Sequence, residues 1–407
     1  MKVLQVNITG KTGSTGKIVN DIRNYLLGQG VDAIVAYSVD DIPDNGFYKI
    51  SKRWELALAL RMAKYGRAAY KGNPFAFGRL KTVIEAERPD IVHLHCINCN
   101  CVNVYKLLDY LAQKQLPIVV THHAEFFYTG ACPSAFDCTK FTKLQCVGCD
   151  DEQNATSNRF FANAHKCWGR MYRAFNQFTE DKLFFVAVSP WVEKRSLMSP
   201  IVNRYRCTTT YNGLDTTVFY HRTSLGELQK RILGEKESIV LHVSPYFNPL
   251  DKDNIKGGYY VVELAKRMPH CKFLVVATVA ENTDNLPENV QLWGRATSQD
   301  ELACLYSFAR VTLLTSKQET FSMVTAESLC CGTPVVGFKA GGPESIAIKG
   351  YSRFTEFGSI VALQNALSDF LSVNFDKEQV SKESKIVYSK EKMGEGYLKI
   401  YQDLLKQ

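Results

Sequence analysis

The sequence has no apolar run of the roughly 18–20 residues that a membrane-spanning helix needs, and it has no internal repeat or low-complexity segment. The N-terminal residues 1–7 turn polar too soon for a secretion signal, which predicts a cytoplasmic protein. No recognised nucleic-acid-binding motif accompanies the net charge of +8. What is left is an ordinary globular composition, and 407 residues predict two domains.

Short apolar segments alternate with amphipathic segments along the whole chain, which predicts parallel β-sheets covered by helices on both faces. The expected fold class is α/β, with two doubly wound Rossmann-like domains facing a central cleft. We expect an N-terminal domain over residues 1–188 and a C-terminal domain over residues 189–388. Apolar residues at helical spacing in residues 389–407 predict a terminal helix that packs back on the N-terminal domain. The expected strands cover 2–7, 33–37, 90–95, 117–122, 183–188, 206–211, 239–243, 272–276, 290–293, 311–315 and 334–337.

A glycine-rich segment, Gly10 to Lys17, follows the first expected strand. It does not fit a nucleotide-binding P-loop, because five residues separate Gly10 from Gly16 and Ile18 follows Lys17. Backbone amides at the start of a helix still favour an anion. Gly13, Ser14 and Thr15 are therefore candidates for contact with phosphate or sugar, and a plain strand-to-helix turn is the alternative.

Two carboxylates, Glu319 and Glu327, flank the beginning of an expected helix just after the strand at 311–315. Because eight residues span about two helical turns, both side chains can face one crevice. Carboxylates accept strong hydrogen bonds from hydroxyls, which suits a ribose and a hexose joined by a diphosphate. The alternative is a pair of solvated acids on a surface helix. Lys256, beside Gly257 at another helix start, is a candidate ligand of the diphosphate, and an exposed lysine at a helix cap is the alternative.

The segments Gly332-Thr333-Pro334-Val335-Val336 and Gly341-Gly342-Pro343-Glu344 follow this carboxylate pair. With the Glu-x7-Glu spacing they resemble the family 4 glycosyltransferases, which are retaining enzymes of GT-B fold. Asn212-Gly213-Leu214-Asp215, Lys256-Gly257 and the Gly13-Ser14-Thr15-Gly16 loop are also similar. The resemblance covers nearly the whole chain.

This resemblance implies that the C-terminal domain binds a nucleotide sugar, with a UDP-sugar as the expected donor. Lys256 would hold the diphosphate, Glu319 the sugar hydroxyls, and Glu327 the ribose. His123 matches a histidine that faces the donor sugar, although a packing role is the alternative. The remaining donor-binding candidates are Thr320, Phe321, Ser322, Met323 and Arg295.

The chain departs from the family pattern at three places. An arginine that assists the lysine should lie near Ser244-Pro245, where neither residue can replace it. Either Lys252 or Arg295 substitutes for it, or the phosphate is held more weakly. Ser322 stands where glycine is common, and Ala124 where an aspartate often follows the histidine.

Eight of the thirteen cysteines lie between Cys96 and Cys167. Cys132, Cys138, Cys146 and Cys149 include one Cys-x2-Cys pair, which is compatible with structural zinc. A subgroup of the family 4 enzymes has a similar cysteine-rich loop. Reduced thiols and disulfides are the alternatives. No cofactor is expected to be required for catalysis.

Residues 49–81 carry nine basic residues and one acid, Glu55, with aromatic residues interleaved. This composition suits the anionic inner face of a membrane, and a solvated helix is the alternative.

The function expected from the sequence is transfer of a sugar from a nucleotide sugar to a glycan or lipid-diphosphate-linked acceptor, with retention, in surface polysaccharide biosynthesis. One alternative is a non-catalytic protein of the same fold that binds nucleotide sugars or glycans. Another is an NAD-linked oxidoreductase, although the first loop lacks the Gly-x-Gly-x-x-Gly spacing that such an enzyme uses.

Overall fold

The computed structural model describes residues 1–65, 71–98, 100–158, 160–161, 163–224 and 239–406. These residues divide into two compact units. The first unit contains residues 1–213 and 393–407, and the second contains residues 214–392. Each unit is an α/β domain built around one parallel sheet, which confirms the predicted fold class of two Rossmann-like domains.

The first domain has a seven-stranded sheet in the order β3-β2-β1-β4-β5-β6-β7, with every neighbouring pair parallel. The chain extends the sheet first to one side of β1 and then to the other, so the topological switch point lies between β1 and β4. Its strands are β1 (Lys2–Val6), β2 (Asp32–Tyr37), β3 (Phe47–Lys49), β4 (Ile91–Leu94), β5 (Ile118–His122), β6 (Leu183–Ala187) and β7 (Arg206–Thr209).

Helices connect these parallel strands, except that β2 and β3 are joined by residues 38–46 without a helix. They are α1 (Gly13–Gly28), α2 (Arg53–Tyr65), α3 (Ala76–Glu87), α4 (Val104–Gln113), α5 (Phe126–Thr129), α6 (Glu152–Thr156), α7 (Ala164–Phe175) and α8 (Pro190–Leu197).

The first domain extends further along the chain than the predicted boundary at residue 188. The strand predicted at 206–211, within the second domain, is β7 (Arg206–Thr209), which pairs with β6 and is the last strand of the first sheet. The boundary therefore falls between residues 213 and 214. The predicted terminal helix is present as α15 (Lys390–Leu405). Its residues Met393, Tyr397 and Tyr401 pack in one core cluster with Val3 and Ile91 of the first sheet.

The second domain has a six-stranded sheet in the order β10-β9-β8-β11-β12-β13, again parallel throughout. Its topological switch point lies between β8 and β11. The strands are β8 (Ile239–Phe247), β9 (Lys272–Ala280), β10 (Val290–Gly294), β11 (Val311–Leu314), β12 (Val335–Phe338) and β13 (Ser352–Thr355).

Helices of the second domain cover both faces of this sheet, and a core cluster that includes Val240, Phe273 and Leu367 joins sheet to helices. The helices are α9 (Gly258–Arg267), α10 (Gln299–Phe308), α11 (Met323–Cys330), α12 (Gly342–Ile346), α13 (Ile360–Ser372) and α14 (Lys377–Tyr388). Within the described ranges, no helix combines the length and the hydropathy that crossing a bilayer would demand.

Candidate functional site

Lys256 and Glu319 meet at the switch point of the second sheet. Lys256 precedes α9 in the connection after β8, and Glu319 lies in the loop after β11, so the two belong to neighbouring strands. The Lys256 Nζ lies 2.7 Å from the Glu319 Oε1, and each side chain is 22% exposed. Ligands of open α/β sheets bind outside the carboxyl ends of strands at such a point. The position of this pair is therefore that of a ligand site.

Glycine packing holds the Lys256 loop against the end of β11. Gly257 has φ +69°, and a Cβ there would lie 2.2 Å from the Thr315 carbonyl oxygen. The Thr315 hydroxyl also donates to the Lys256 carbonyl oxygen at 3.0 Å. Because only glycine allows this close approach, Gly257 fixes the backbone from which the lysine extends.

The loop that carries Glu319 is held by the paired glycines at 341 and 342. The Glu319 amide donates to the Ala340 carbonyl at 3.0 Å, and the Gly342 amide donates to the Glu319 carbonyl at 2.8 Å. A Cβ at Gly342 would lie 2.5 Å from the backbone of Thr320. The Gly-Gly motif thus has a packing role that positions Glu319 and Thr320.

The remaining donor-binding candidates of this loop lie at the start of α11. Phe321 is buried, and Met323 is the first residue of the helix. Ser322 is the N-cap, and its Oγ accepts from the Thr325 amide at 3.2 Å. Its φ of +83° lies in the left-handed region that favours glycine, which gives a physical reason for the expected glycine at this position.

Glu327 projects from the second turn of α11 toward a buried tyrosine. The Tyr306 hydroxyl donates to the Glu327 Oε2 at 3.0 Å. Burial, and then the Glu327 carboxylate, raise the pKa of Tyr306 well above its ordinary value, so the hydroxyl keeps its proton. Tyr306 therefore orients the Glu327 carboxylate as a hydrogen-bond acceptor.

Arg295 is exposed in the loop after β10, and β9 separates that strand from β8. The loop is shaped by Glu301, which accepts from the Trp293 indole at 3.0 Å and from the Thr297 amide at 2.6 Å. The strand before Arg295 therefore lies two positions away from the strand that precedes Lys256.

In the first domain, His123 directly follows β5 at the carboxyl edge of the sheet. Its Nε2 lies 3.0 Å from the Nδ1 of His95, which follows β4. His95 is fully buried, whereas His123 is partly exposed. Desolvation lowers the pKa of His123 to about 4, so the imidazole is neutral at physiological pH.

The backbone amides of the glycine-rich loop bind a carboxylate of the protein itself, that of Asp40. The amides of Gly10, Lys11 and Thr12 donate to the Asp40 Oδ2 at 2.8, 2.8 and 3.1 Å. Burial opposes ionisation of Asp40, but the hydrogen bonds from Thr12, Lys11 and Gly10 outweigh it and lower its pKa. The candidates Gly13, Ser14 and Thr15 follow in the first turn of α1, where Gly13 and Ser14 are exposed.

The cysteine-rich loop is attached to the domain by a buried ion pair. Glu125 is 1% exposed and accepts from the Arg195 Nε at 2.8 Å. The same carboxylate accepts from the amides of Ala135 and Phe136 at 2.6 and 2.8 Å. Glu125 therefore fixes the loop on which Cys132 and Cys138 lie.

Cys132, Cys138, Cys146 and Cys149 are reduced thiols in this structure. Burial raises the pKa of Cys132 and Cys146 to about 12, and the neighbouring cysteines add to the shift. Within the part of the chain that the structure describes, no three His, Cys, Asp or Glu side chains are arranged to hold a metal ion. The four thiols are neighbours but not a set of metal ligands, so zinc stays a prediction from the sequence.

Sequence reasoning missed His95 and Tyr306, which contact the candidates His123 and Glu327, and Asp40, which binds the glycine-rich loop just before the candidate Gly13. His95 had a signal, since it follows β4, the strand next to the one that precedes His123. Asp40 lies 28–30 residues from the amides that it binds, and no local pattern indicates that contact.

Residues 280–387, which include Glu319 and Glu327, match the sequence model of the family "Glycosyl transferases group 1". A curated relative, N-acetyl-alpha-D-glucosaminyl L-malate synthase of Bacillus anthracis, is 24% identical over 210 residues, or 49% of this chain and 54% of that protein. The chain thus spans about half the length of this relative.

Solved structures cover the whole chain. Sucrose-phosphate synthase from Thermosynechococcus elongatus aligns with a TM-score of 0.69 at 14% identity over 100% of both chains. Anabaena HepE in complex with UDP aligns with a TM-score of 0.65 at 16% identity, over 99% of this chain and 100% of that chain. These likenesses show a GT-B fold. Together with the family match they support a glycosyltransferase.

Proposed function

We propose that this protein transfers a sugar from a nucleotide sugar to a glycan or lipid-linked acceptor hydroxyl, with retention of anomeric configuration, in surface polysaccharide biosynthesis. The observation that carries the proposal is the pairing of Lys256 with Glu319 at the switch point of the second sheet. A fixed cation beside a carboxylate suits a ligand that joins a diphosphate to a polyhydroxylated ring.

In the proposed reaction, the bond between the anomeric carbon and the diphosphate oxygen breaks, and the acceptor oxygen bonds to the same carbon. The acceptor proton passes to the departing diphosphate, so charge and atoms balance. Lys256 stabilises the negative charge that develops on the diphosphate. Glu319, released from the lysine when the diphosphate binds, accepts hydrogen bonds from sugar hydroxyls. Glu327, oriented by Tyr306, accepts from the ribose.

UDP is the proposed nucleotide of the donor. The Anabaena HepE structures contain UDP, UDP with glucose, or UDP-glucose, and the same fold covers this chain almost completely. The comparison of UDP with ADP in the binding experiment tests the base.

A peripheral contact with an anionic membrane is part of the proposal, because one exposed face of α2 is both apolar and basic. Trp54, Leu58, Arg61 and Tyr65 recur at intervals of four, three and four residues, which places them on one helical face. Trp54, Leu58 and Tyr65 are 57%, 41% and 46% exposed. Such a face suits the interfacial layer of a bilayer, where aromatic and basic side chains are favoured.

Aromatic pairs extend both ends of this face. Trp54 lies 5.7 Å from Phe75 between ring centroids, and Tyr65 lies 6.2 Å from Phe160. The acid of this segment, Glu55, is buried and accepts hydrogen bonds of 2.7 Å from the two terminal nitrogens, Nη1 and Nη2, of Arg79. Its charge is therefore withdrawn from the surface. Residues 66–70 of the basic segment, including Arg67, lie outside the described residues.

Co-sedimentation with vesicles tests the membrane contact. The protein should bind vesicles of phosphatidylcholine with phosphatidylglycerol more strongly than vesicles of phosphatidylcholine alone, and Arg61→Glu with Lys64→Glu should abolish the difference. Lys106→Glu with Lys399→Glu makes the same change in charge at exposed positions of the first domain and should leave binding intact. Undiminished binding of the α2 variant would contradict the proposal.

Two other functions are weighed against the enzyme. An NAD-linked oxidoreductase would place its pyrophosphate on the amides of the first glycine-rich loop, but Asp40 already occupies those of Gly10, Lys11 and Thr12. A non-catalytic protein that binds nucleotide sugars or glycans keeps the same contacts and differs only in turnover.

Saturation-transfer NMR against UDP, ADP, UDP-glucose and NAD, followed by a donor hydrolysis assay, separates these functions. We expect saturation of UDP and the UDP-sugar, and slow release of UDP from the sugar donor. Saturation of NAD alone would support the oxidoreductase, and binding of UDP-sugars without hydrolysis or transfer to any acceptor would support the binding protein.

A further inference from the structure

A chain of buried hydrogen bonds runs across three neighbouring strands of the first sheet and ends at His123. It begins at Gln5 on β1, continues through His95 after β4, and reaches His123 after β5. The His95 Nε2 lies 3.1 Å from the Gln5 Oε1, and the His95 Nδ1 lies 3.0 Å from the His123 Nε2. Gln5 and His95 are both fully buried.

The Val19 carbonyl sets the direction of this chain. The Gln5 Nε2 donates to the Val19 oxygen at 3.1 Å. Because a carbonyl oxygen only accepts, the amide nitrogen of Gln5 must face Val19, and the amide oxygen must face His95. That oxygen also only accepts, so the proton of the bond between Gln5 and His95 belongs to the His95 Nε2.

The position of one proton then fixes the next. Burial lowers the pKa of His95 well below its ordinary value, so its ring is neutral and carries a single proton. With that proton on Nε2, the His95 Nδ1 accepts, and the His123 Nε2 must donate to it. His123 is neutral as well, so its Nδ1 bears a lone pair.

We propose that Gln5 and His95 are positioning residues that hold His123 in the Nε2-protonated tautomer and so fix the orientation of its ring at the carboxyl edge of the first sheet. The expected effect of this positioning on turnover rests on the proposed function.

A second hydrogen-bond network lies beside the relay formed by Gln5, His95 and His123 and shares none of its residues. The His93 Nδ1 lies 2.6 Å from the Tyr401 hydroxyl, and the His93 Nε2 lies 2.7 Å from the Thr121 Oγ1. The rings of His93 and His95 are 3.8 Å apart between centroids. Thr121→Val therefore offers a matched control, since it removes a buried hydrogen bond beside the relay but leaves Gln5, His95 and His123 in place.

The direct test is NMR of the full chain with ¹⁵N-labelled histidine rings, using two-bond correlations at neutral pH. His123→Ala assigns the signal. We expect His123 to carry its proton on Nε2 and no proton on Nδ1, both in the unaltered protein and in Thr121→Val. In Gln5→Met the acceptor for His95 is lost, and we expect the other His123 tautomer to appear.

Turnover adds a second readout. Gln5→Met and His95→Leu should lower kcat/KM by about 3- to 10-fold, as expected for the loss of one neutral hydrogen bond. His95→Gln should retain most of the activity, because its amide can donate to Gln5 and accept from His123. If His95→Leu does not fold, Gln5→Met and His95→Gln still decide the matter.

A proton on the His123 Nδ1 in the unaltered protein would overturn the proposal, and so would an unchanged tautomer in Gln5→Met. The tautomer is measured without turnover. If this protein shows the expected tautomers but lacks transferase activity, the proposed function is refuted, whereas the positioning of His123 by Gln5 and His95 is supported.

Discussion

The Lys256 ammonium and the Glu319 carboxylate form an ion pair of 2.7 Å across 63 residues of sequence. The two side chains come from the connections after β8 and β11, the strands on either side of the switch point. Each neutralises the other while both stay partly exposed. In the proposed function, a diphosphate competes for the lysine, and the freed carboxylate then accepts from a sugar hydroxyl. The first prediction tests this proposed exchange of partners.

We predict that Lys256→Ala and Glu319→Ala each lower kcat by about 100- to 1,000-fold, because each removes a charged group aimed at the reacting substrate. Both variants should stay folded, since a partly exposed pair contributes on the order of 1 kcal/mol or less. Steady-state kinetics and thermal unfolding measure the two effects. Lys266→Ala, which breaks a pair of 2.8 Å with Glu263 on α9, is the control and should keep full activity. Near-full activity of either site variant would show that the site is misassigned.

We predict that Ser322→Gly stabilises the protein by about 0.5–1 kcal/mol. Glycine relieves the positive φ of +83°, and replacing a serine N-cap by glycine costs only a few tenths of a kcal/mol. Ser298 caps α10 in the same way but with φ −147°, so Ser298→Gly should be destabilising. Urea unfolding of both variants gives the comparison. A loss of stability in Ser322→Gly as large as that in Ser298→Gly would contradict the assignment of strain.

The sequence predicted the sheets well because a buried parallel strand leaves a short apolar segment that is visible without knowledge of its neighbours. It predicted the domain boundary poorly for the same reason. The segment at 206–209 has the pattern of a strand, but only its pairing with β6 shows to which sheet it belongs. The three-residue β3 is too short to leave a periodic pattern.

The candidate site divides in a similar way. Lys256 and Glu319 could be placed together because the carboxyl ends of parallel strands share one edge of the sheet. Asp40 and Tyr306 could not, because their contacts depend on three-dimensional packing between separate segments. Arg295 was one of two residues considered as a substitute for the missing arginine, and the strand before it is two positions away from β8.

We predict that Arg195→Ala lowers the free energy of unfolding by about 3–5 kcal/mol, because it leaves the Glu125 carboxylate buried without its partner. Denaturant unfolding followed by tryptophan fluorescence measures this loss. Lys81→Ala breaks an exposed pair with Glu85 on α3 and should change stability by less than about 1 kcal/mol. Equal effects of the two variants would mean that the Glu125 pair does not hold the cysteine-rich loop.

We predict that EDTA leaves turnover unchanged, because Lys256 already supplies a cation for the diphosphate. Activity is compared before and after dialysis against EDTA, and zinc is measured by elemental analysis in protein purified without chelator. Loss of activity with recovery on adding Mg²⁺ would contradict the assignment of Lys256. Loss with recovery on adding Zn²⁺, together with unfolding, would instead assign a structural metal to Cys132, Cys138, Cys146 and Cys149.

Three fully buried histidines make the first domain sensitive to acid. Burial lowers the pKa of His122 to about 3 and those of His93 and His95 well below 6.5. Below pH 6.5 the unfolded chain therefore binds protons that the folded domain does not, and stability is lost as the pH falls. Each histidine costs about 1.4 kcal/mol by pH 5.5, so the three together cost about 4 kcal/mol.

His122 isolates one part of this effect. Both of its ring nitrogens are buried without a hydrogen-bond partner, and its ring stacks on Phe185 with centroids 5.1 Å apart. We predict that His122→Phe stabilises the protein by about 1–3 kcal/mol at pH 7.5, since an apolar ring removes two unsatisfied polar atoms. The gain should grow by about 1.4 kcal/mol at pH 5.5, because one titrating group is gone. Urea unfolding at the two pH values measures the gain in stability at each pH. An equal gain at both would show that His122 takes up no proton when the chain unfolds at pH 5.5.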